Sequence, residues 1–390
     1  MNKKKNDKPE FKSLVPDVRV LPRRQLILGA SAVAGAGLIA AKPAIAQNTT
    51  NLVRNRKVLR MVTSWPADLP GLGTAAQRFA DRVTRLSDNK LVIKVFPAGE
   101  LVSASQNFDS VAKGEAHLYH SFDSYWQHYS KALNFFASIP FGMSPSEFNA
   151  WITYGGGQGL WDELGEGLGI KPLLAGNTGY QMAGWFRKPA DNYKDLKGIK
   201  MRVQGIGGEV FQRLGVRTET LNATDTVSAL ENNKLDAAEW FGPWLDEHFG
   251  LHKGAKYYYG PAFHEPGMAI VVGFNSKVWH DLENDHKELL QVVAEAENHR
   301  VLAEFNAKNN LALARLVNDH GVELRKFDDD TLNWLGTEAG KIVAKIGNSS
   351  GQAKKIYKSY LSFRSKALAR GVHGENAFLK SRLLPFKFAP

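Results

Sequence analysis

The feature that most limits how this chain can fold is a plan that occurs twice: a short apolar strand, a helix with one apolar face, and a second strand. Residues 57–63 (KVLRMVT) read as a strand that Trp65-Pro66 turns out of. Ala76, Phe79, Val83 and Leu86 then recur at three- and four-residue spacing, which predicts a helix with one buried face. Asn89 breaks it, and residues 90–96 (KLVIKVF) alternate as a strand. A loop at Phe96-Pro97-Ala98-Gly99 leads to a second helix marked by Ala104, Phe108, Val111 and Ala112. Gly114 ends that helix, and residues 116–121 (AHLYHS) follow as another strand. The plan returns with a strand at 198–203 (GIKMRV) and a helix at 208–214 closed by Gly215. A short helix after Thr224 and a strand at 234–240 (KLDAAEW) complete it. Two separate β-α-β regions place the chain in the α/β class with two lobes. Residues 266–275 (PGMAIVVGFN) read as a strand returning to the first lobe. Beyond Val278 the pattern is mainly helical, through Trp334, Ile342, Tyr357 and Leu361. The expected division is lobe I over 57–180 with 268–300 returning to it, lobe II over 181–267, and a helical tail over 301–390. That tail braces both lobes or pairs with a second subunit.

The first 46 residues say where the rest has to work. Arg23-Arg24 precedes Leu26, Ile27 and Leu28, a Gly/Ala-rich run and an Ala44-Ile45-Ala46 ending. A basic leader, a short apolar segment and a small-x-small cleavage site describe an export signal. The paired arginines and modest hydrophobicity favour the twin-arginine route. The run is too short and too rich in Gly and Ala to span a bilayer comfortably, so cleavage before Gln47 is expected rather than anchoring. Nine of the 50 Lys/Arg and three of the 39 Asp/Glu lie in this leader. Its removal therefore takes the formal net charge from +11 to +5. Much of the basicity is then a targeting device, and a nucleic-acid partner is not expected. The chain has no cysteine, which excludes thiol catalysis, thiolate zinc sites and iron–sulfur ligation. The longest later apolar run, 268–274, has only the length of a strand. A soluble protein outside the cytoplasmic membrane is expected.

Three segments could carry chemistry. In residues 198–203, Lys200 and Arg202 share one strand face, and Arg202 lies near the carboxyl end, where ligands gather in open α/β sheets. Gly205, Gly207 and Gly208 follow and allow close backbone approach at a helix start. A guanidinium there suits a two-pronged grip on a carboxylate, although a surface arginine beside a turn would look the same. These glycines do not make the dinucleotide fingerprint, because Val210 and Phe211 stand where another glycine would be needed. In residues 237–244 (AAEWFGPW), Glu239 ends a run of small apolar residues and meets Trp240, Phe241 and Trp244. A carboxylate against such a wall needs a compensating cation or donor if it is buried; an exposed glutamate at a strand end is the commoner case. In residues 179–186 (GYQMAGWF), Gln181 offers a carbonyl to a cation or an amide to a ligand oxygen, or it is a satisfied interior glutamine. Tyr125-Trp126, Tyr257-Tyr258-Tyr259 and the His264-Glu265-Pro266-Gly267 turn are further candidates. No G-x-S-x-G elbow, H-E-x-x-H helix or P-loop is present, and the eleven histidines show no metal-like spacing.

Taken together, the segments FPAGEL (96–101), PFGM (140–143), WITYGGGQGLW (151–161), GYQMAGWFRKP (179–189), DLKGIKMRVQGIGGEVFQRLG (195–215), LDAAEWFGPW (235–244), KYYYGPAFHEPG (256–267) and KKIYKSYLSFR (354–364) resemble one family. It is the solute-binding proteins of tripartite ATP-independent periplasmic (TRAP) transporters, and within it the subgroup that binds 2-oxo or 2-hydroxy acids with a metal ion. The resemblance implies a two-lobed periplasmic binding fold with crossing strands, a hinge and a helical C-terminal tail. It implies that Arg202 binds the ligand carboxylate. Gln181, Glu239 and the Trp240 carbonyl would hold a sodium or calcium ion, with Tyr125 and Glu265 as further pocket residues. Where relatives usually read proline-glycine-glycine-glutamate, this chain has Asn222-Ala223-Thr224-Asp225, which bears on the pocket edge and the ligand's size. Oxygen-only donors suit a hard cation. The expected role is capture of a small pyruvate- or lactate-like monocarboxylate by hinge closure and delivery to a TRAP membrane permease, with no bond of the ligand changed and a homodimer plausible from the tail. The rival is an exported enzyme acting on a similar acid with Glu239 as base; a sensor is a third role.

Overall fold

The three strands read near the N-terminus and the one read at 266–275 pair into a five-stranded sheet, together with a strand at 170–177 that was not expected. The structure, a computed structural model, describes residues 56–387; the export-signal reading of residues 1–46 lies outside the described residues. The first sheet holds β1 (Lys57–Thr63), β2 (Leu91–Phe96), β3 (Leu118–Ser121), β4 (Ile170–Asn177) and β10 (Ala269–Asn275), in the order β2-β1-β3-β10-β4. β1 runs parallel to β2 and β3, while β10 is antiparallel to both β3 and β4. All seven residues of β10 are buried, as suits a central strand covered on both faces. Gly273 makes that packing workable, since a Cβ there would lie within 2.2 Å of the Tyr119 ring. Around this sheet lie α1 (Gly73–Leu86), α2 (Asn107–Ala112), α3 (Pro145–Tyr154), α4 (Gly157–Glu166) and α9 (Ser276–His280). α1 buries Ala75, Ala76, Phe79, Ala80 and Val83, most of the periodic face expected of it, whereas Leu86, expected on that face, stands exposed at the helix end. α3 starts with a capping box, in which Ser144 and Glu147 satisfy each other's backbone donors.

The second sheet has six strands in the order β11-β9-β5-β8-β6-β7. They are β5 (Gly184–Phe186), β6 (Lys200–Arg202), β7 (Arg217–Glu219), β8 (Ala237–Ala238), β9 (Tyr257–Gly260) and β11 (Glu323–Lys326). Its helices are α5 (Tyr193–Leu196), α6 (Gly205–Arg213), α7 (Ala223–Glu231) and α8 (Pro243–Phe249). The strand expected over 234–240 is only two residues long. Asn233 adopts a left-handed conformation, and Lys234 and Leu235 both donate back to the Ala229 carbonyl, so the chain joins the sheet only from Asp236.

The C-terminal part is helical, with α10 (Asn284–Asn318), α11 (Asp329–Gly347), α12 (Gly351–Gly371) and α13 (Glu375–Ser381), but not wholly so. β11 interrupts it and pairs parallel to β9, covering a sheet edge whose backbone groups would otherwise lack partners. α10 is tied to α1 through Arg78 and Arg82, which both reach the buried Glu297. Farther along it is tied to α8, where Asn309 Oδ1 accepts from the Trp244 N–H at 2.9 Å and Arg315 pairs with Glu247. α11 meets α6 through Arg213 and Glu338, and Tyr360 of α12 accepts a hydrogen bond from the Met143 N–H. No helix among the described residues is long and apolar enough to cross a membrane.

Candidate functional site

Arg202 ends β6, and Glu239 directly follows β8, its parallel neighbour, so both stand at carboxyl ends of adjacent strands. The Glu239 N–H donates to the Arg202 carbonyl at 2.8 Å, which carries the ladder one residue past β8 and fixes the two side chains face to face. Arg202 Nη1 donates to Glu239 Oε2 at 3.1 Å and to the Glu239 carbonyl at 2.7 Å, and Nε donates to the Leu221 carbonyl at 3.3 Å. The guanidinium carbon lies 4.1 Å from the centre of the Trp240 ring, a cation–π contact. Arg202 is 8% exposed and Glu239 4%. Two buried charges are tolerated here because each compensates the other.

The pair leaves acceptors over. Glu239 Oε1 has no hydrogen-bond partner among the described residues, and its nearest basic group, His264 Nε2, stands 3.5 Å away. Gln181 donates through Nε2 to Thr178 Oγ1 at 3.0 Å, which orients the amide and leaves its Oε1 without a partner. Glu239, His264 and Glu265 present ligand atoms that all lie within 4.8 Å of one another. Burial lowers the His264 pKa, but the Glu239 and Glu265 carboxylates outweigh it and hold the imidazole above its ordinary value, against the opposing Arg202 charge. Burial and then the Glu239 charge raise the Glu265 pKa, with His264 and Arg202 pulling the other way.

These groups face a cavity of about 640 Å³. Of the residues singled out in the sequence, Tyr125, Arg202, Glu239, Trp240 and Glu265 line it. Tyr125 comes from the segment after β3, opposite the others, and desolvation raises its hydroxyl pKa, with Glu265 and Glu239 adding to the rise and Arg202 opposing it. Gln181 is buried and does not line the cavity, although its amide acts on Glu265. Residues 222–225, which depart from the usual family reading, build the start of α7: Asn222 caps it by accepting from the Asp225 N–H. The cavity is lined nearby by Thr218 and Thr220 instead.

Two more residues shape the site: His264, which the sequence offered only within the His264-Glu265-Pro266-Gly267 turn and which lines the cavity, and Asp246, which was not foreseen. His264 is buried against α6, where a Cβ on Gly207 would come within 2.8 Å of the His264 Cβ. Its neighbour Glu265 in the HEPG turn was the available signal. Asp246 lies behind the site and accepts from the Phe241 N–H, Trp185 Nε1 and Tyr258 OH, which anchors the segment after Glu239. Burial pushes its carboxyl up to about 7, against those three bonds. In the sequence it reads only as an acid in the first turn of a helix.

A hard cation fits the donor set. A buried carboxylate oxygen and a buried amide oxygen that lack partners are costly unless something electropositive meets them, and both are hard oxygen donors.

A buried guanidinium–carboxylate pair thus stands at adjacent strand ends and faces a cavity in a chain folded as two α/β lobes. Residues 61–350 match the family described as bacterial extracellular solute-binding protein, family 7, and the chain belongs to that family. It is therefore a binding protein of a periplasmic receptor family and not an enzyme. The chain is 34% identical over 310 residues to a monocarboxylate 2-oxoacid-binding periplasmic protein of Nostoc sp., covering 80% of this chain and 85% of that one. It is similar to a TRAP transporter solute-binding protein of Bordetella bronchiseptica with calcium and picolinate bound, at TM-score 0.80 and 33% identity, covering 84% and 97% of the two chains. A TRAP periplasmic solute-binding protein of Pseudoalteromonas atlantica with bound sodium and pyruvate gives TM-score 0.79 at 32% identity, over 85% and 100%.

Proposed function

We propose that the chain captures a small 2-oxo or 2-hydroxy monocarboxylate, pyruvate- or lactate-like, together with sodium or calcium, and delivers it to a TRAP membrane permease. The observation that carries this reading is the Arg202–Glu239 pair facing the cavity with Glu239 Oε1 unpartnered. Arg202 binds one carboxylate oxygen of the solute. Gln181, Glu239 and the Trp240 carbonyl hold the cation, which neutralises the second negative charge that the solute brings. Tyr125 and Glu265 complete the wall, and closure of lobe I (57–180 with 268–300) on lobe II (181–267) excludes water from the ion pairs and strengthens them. The tail over 301–390 braces the lobes and forms a homodimer contact. α13 and the residues after it support this, since Phe378 and Leu383 stand exposed. Export by the twin-arginine route places the mature chain in the periplasm.

The test is calorimetric titration of chelator-treated protein with pyruvate and lactate, with and without sodium or calcium, followed by product analysis. Cation-dependent binding with the acid recovered unchanged is expected. No binding under any cation, or steady turnover, refutes the reading. Light scattering checks the dimer, and a monomer mass at micromolar concentration rejects it.

A further inference from the structure

Asp123 is a buried acid to which the capture scheme gives no part. It is 1% exposed and opens the short 3-10 helix Asp123–Trp126 that follows β3. Its Oδ1 accepts from Tyr119 OH at 3.1 Å, and its Oδ2 accepts from Trp161 Nε1 at 2.7 Å. Neither donor is charged, and no basic side chain pairs with it among the described residues. A carboxylate in such surroundings is costly, and an apolar residue would fill the space without that cost. What the carboxylate adds is direction. Tyr119 comes from β3, where Gly273 leaves room for its ring; Trp161 comes from α4, where it stacks on Phe136 with ring centres 5.1 Å apart. One oxygen on each fixes the start of the 3-10 helix against two packed elements. The next three residues, Ser124, Tyr125 and Trp126, line the cavity, and the Arg202 charge acts on the Tyr125 hydroxyl. The Tyr119 ring also meets Trp126 edge-on, with ring centres 6.2 Å apart. The opposite wall is backed in the same way, since Asp246 accepts from Trp185 Nε1 and Tyr258 OH behind the segment that follows Glu239.

We propose that Asp123 is a positioning residue for solute capture: by taking one bond from Tyr119 and one from Trp161, its carboxylate stands Tyr125 and Trp126 on the cavity wall opposite Arg202. This rests on the functional reading of the cleft and adds the part that the first lobe plays in it. Protonation would remove an acceptor: Trp161 can only donate, so Tyr119 must turn its hydroxyl round or lose its partner. Burial pushes the Asp123 carboxyl up to about 7, against the two bonds. The wall is therefore set above that pH and loosens below it. Tyr119 is the titratable side chain bonded to Asp123; Glu265 and His264 in the cavity also respond to pH, so the readout is the difference between wild type and variant.

The test titrates the full chain with pyruvate in calcium by calorimetry at pH 6, 7 and 8, with melting curves to confirm folding. Asp123→Asn is expected to weaken pyruvate about tenfold at pH 8, the worth of one hydrogen bond to a charged group. At pH 6 the wild type should fall toward the variant, so that the ratio of affinities shrinks toward one. A merely structural acid would leave that ratio unchanged. Tyr119→Phe keeps the carboxylate but removes one donor, and should move the wild-type loss of affinity to higher pH; it decides the matter if Asp123→Asn does not fold. Wild-type affinity in folded Asp123→Asn, a ratio constant across the three pH values, or an unmoved profile in Tyr119→Phe overturns the proposal. If the wild type binds no pyruvate, the functional reading fails instead. Asp123 is then judged by hydrogen exchange over residues 123–127, where unchanged protection in the variant overturns its role.

Discussion

Deleting the charge at Arg202 tests the electrostatics of the site without any ligand. In Arg202→Met the side chain keeps its apolar stem and loses three hydrogen bonds, to Glu239 Oε2, the Glu239 carbonyl and the Leu221 carbonyl. Glu239 then remains 4% exposed with only the His264 imidazole, 3.5 Å from its Oε1, as a basic neighbour. Removing one partner of a buried pair costs about 3–5 kcal/mol, because the other charge is left uncompensated. Adding Glu239→Gln removes that charge, and the remaining deficit is one or two carbonyls without donors, about 1–3 kcal/mol. The double variant is therefore expected to be more stable than Arg202→Met alone by about 2 kcal/mol, which follows from those two ranges. Equilibrium guanidinium unfolding at pH 7, in chelator and without solute, followed by tryptophan fluorescence, measures this. If Arg202→Met unfolds at the wild-type midpoint, or the double variant loses the sum of the two singles, the pair is not a desolvated couple and the argument fails.

Glu239→Gln alone should weaken pyruvate at least tenfold and abolish its dependence on sodium or calcium; titrations with and without chelator decide, and an undiminished cation effect contradicts the assignment. Asp123 and Asp246 are both pushed by burial from 3.8 to about 7. The folded chain therefore holds protons that the unfolded chain releases, and this contribution is full below about pH 4 and declines as pH rises to about 7. Asp246→Asn should flatten that decline by up to about 1.4 kcal/mol per pH unit, read from unfolding midpoints at pH 5 and 7; an unchanged slope counts against it. Gly207→Ala places a methyl 2.8 Å from the His264 Cβ and should cost about 1–3 kcal/mol with weakened solute binding. In contrast, Gly159→Ala in α4 meets open space and should gain up to about 1 kcal/mol in a thermal melt.

What could be read from the chain follows from how local each signal is. The β1-α1-β2 and β6-α6 units declare themselves because their apolar periodicity lies within a few residues. Arg202 and Glu239 were legible as a pair of strand ends followed by glycines and aromatics, but not as partners; their meeting depends on β6 pairing with β8, a contact 37 residues apart. β11 was hidden inside a helical tail, since Glu323-Leu324-Arg325-Lys326 is polar and gains its strand character only from the open edge of β9. His264 and Asp246 carried no local mark of burial. Each is enclosed by residues distant in sequence, His264 by α6 and Asp246 by Trp185 and Tyr258.

α10 has a consequence for any opening of the cleft. Its middle turns are riveted to α1 by Arg78 and Arg82 through Glu297, with Arg78 also on Glu304; its later turns are riveted to α8 by Asn309 and by Arg315. One unbroken rod thus has α1 fastened at its middle and α8 farther along it. For the halves to swing, the rod must flex in the single turn between Glu304 and Asn309, or one set of rivets must give way.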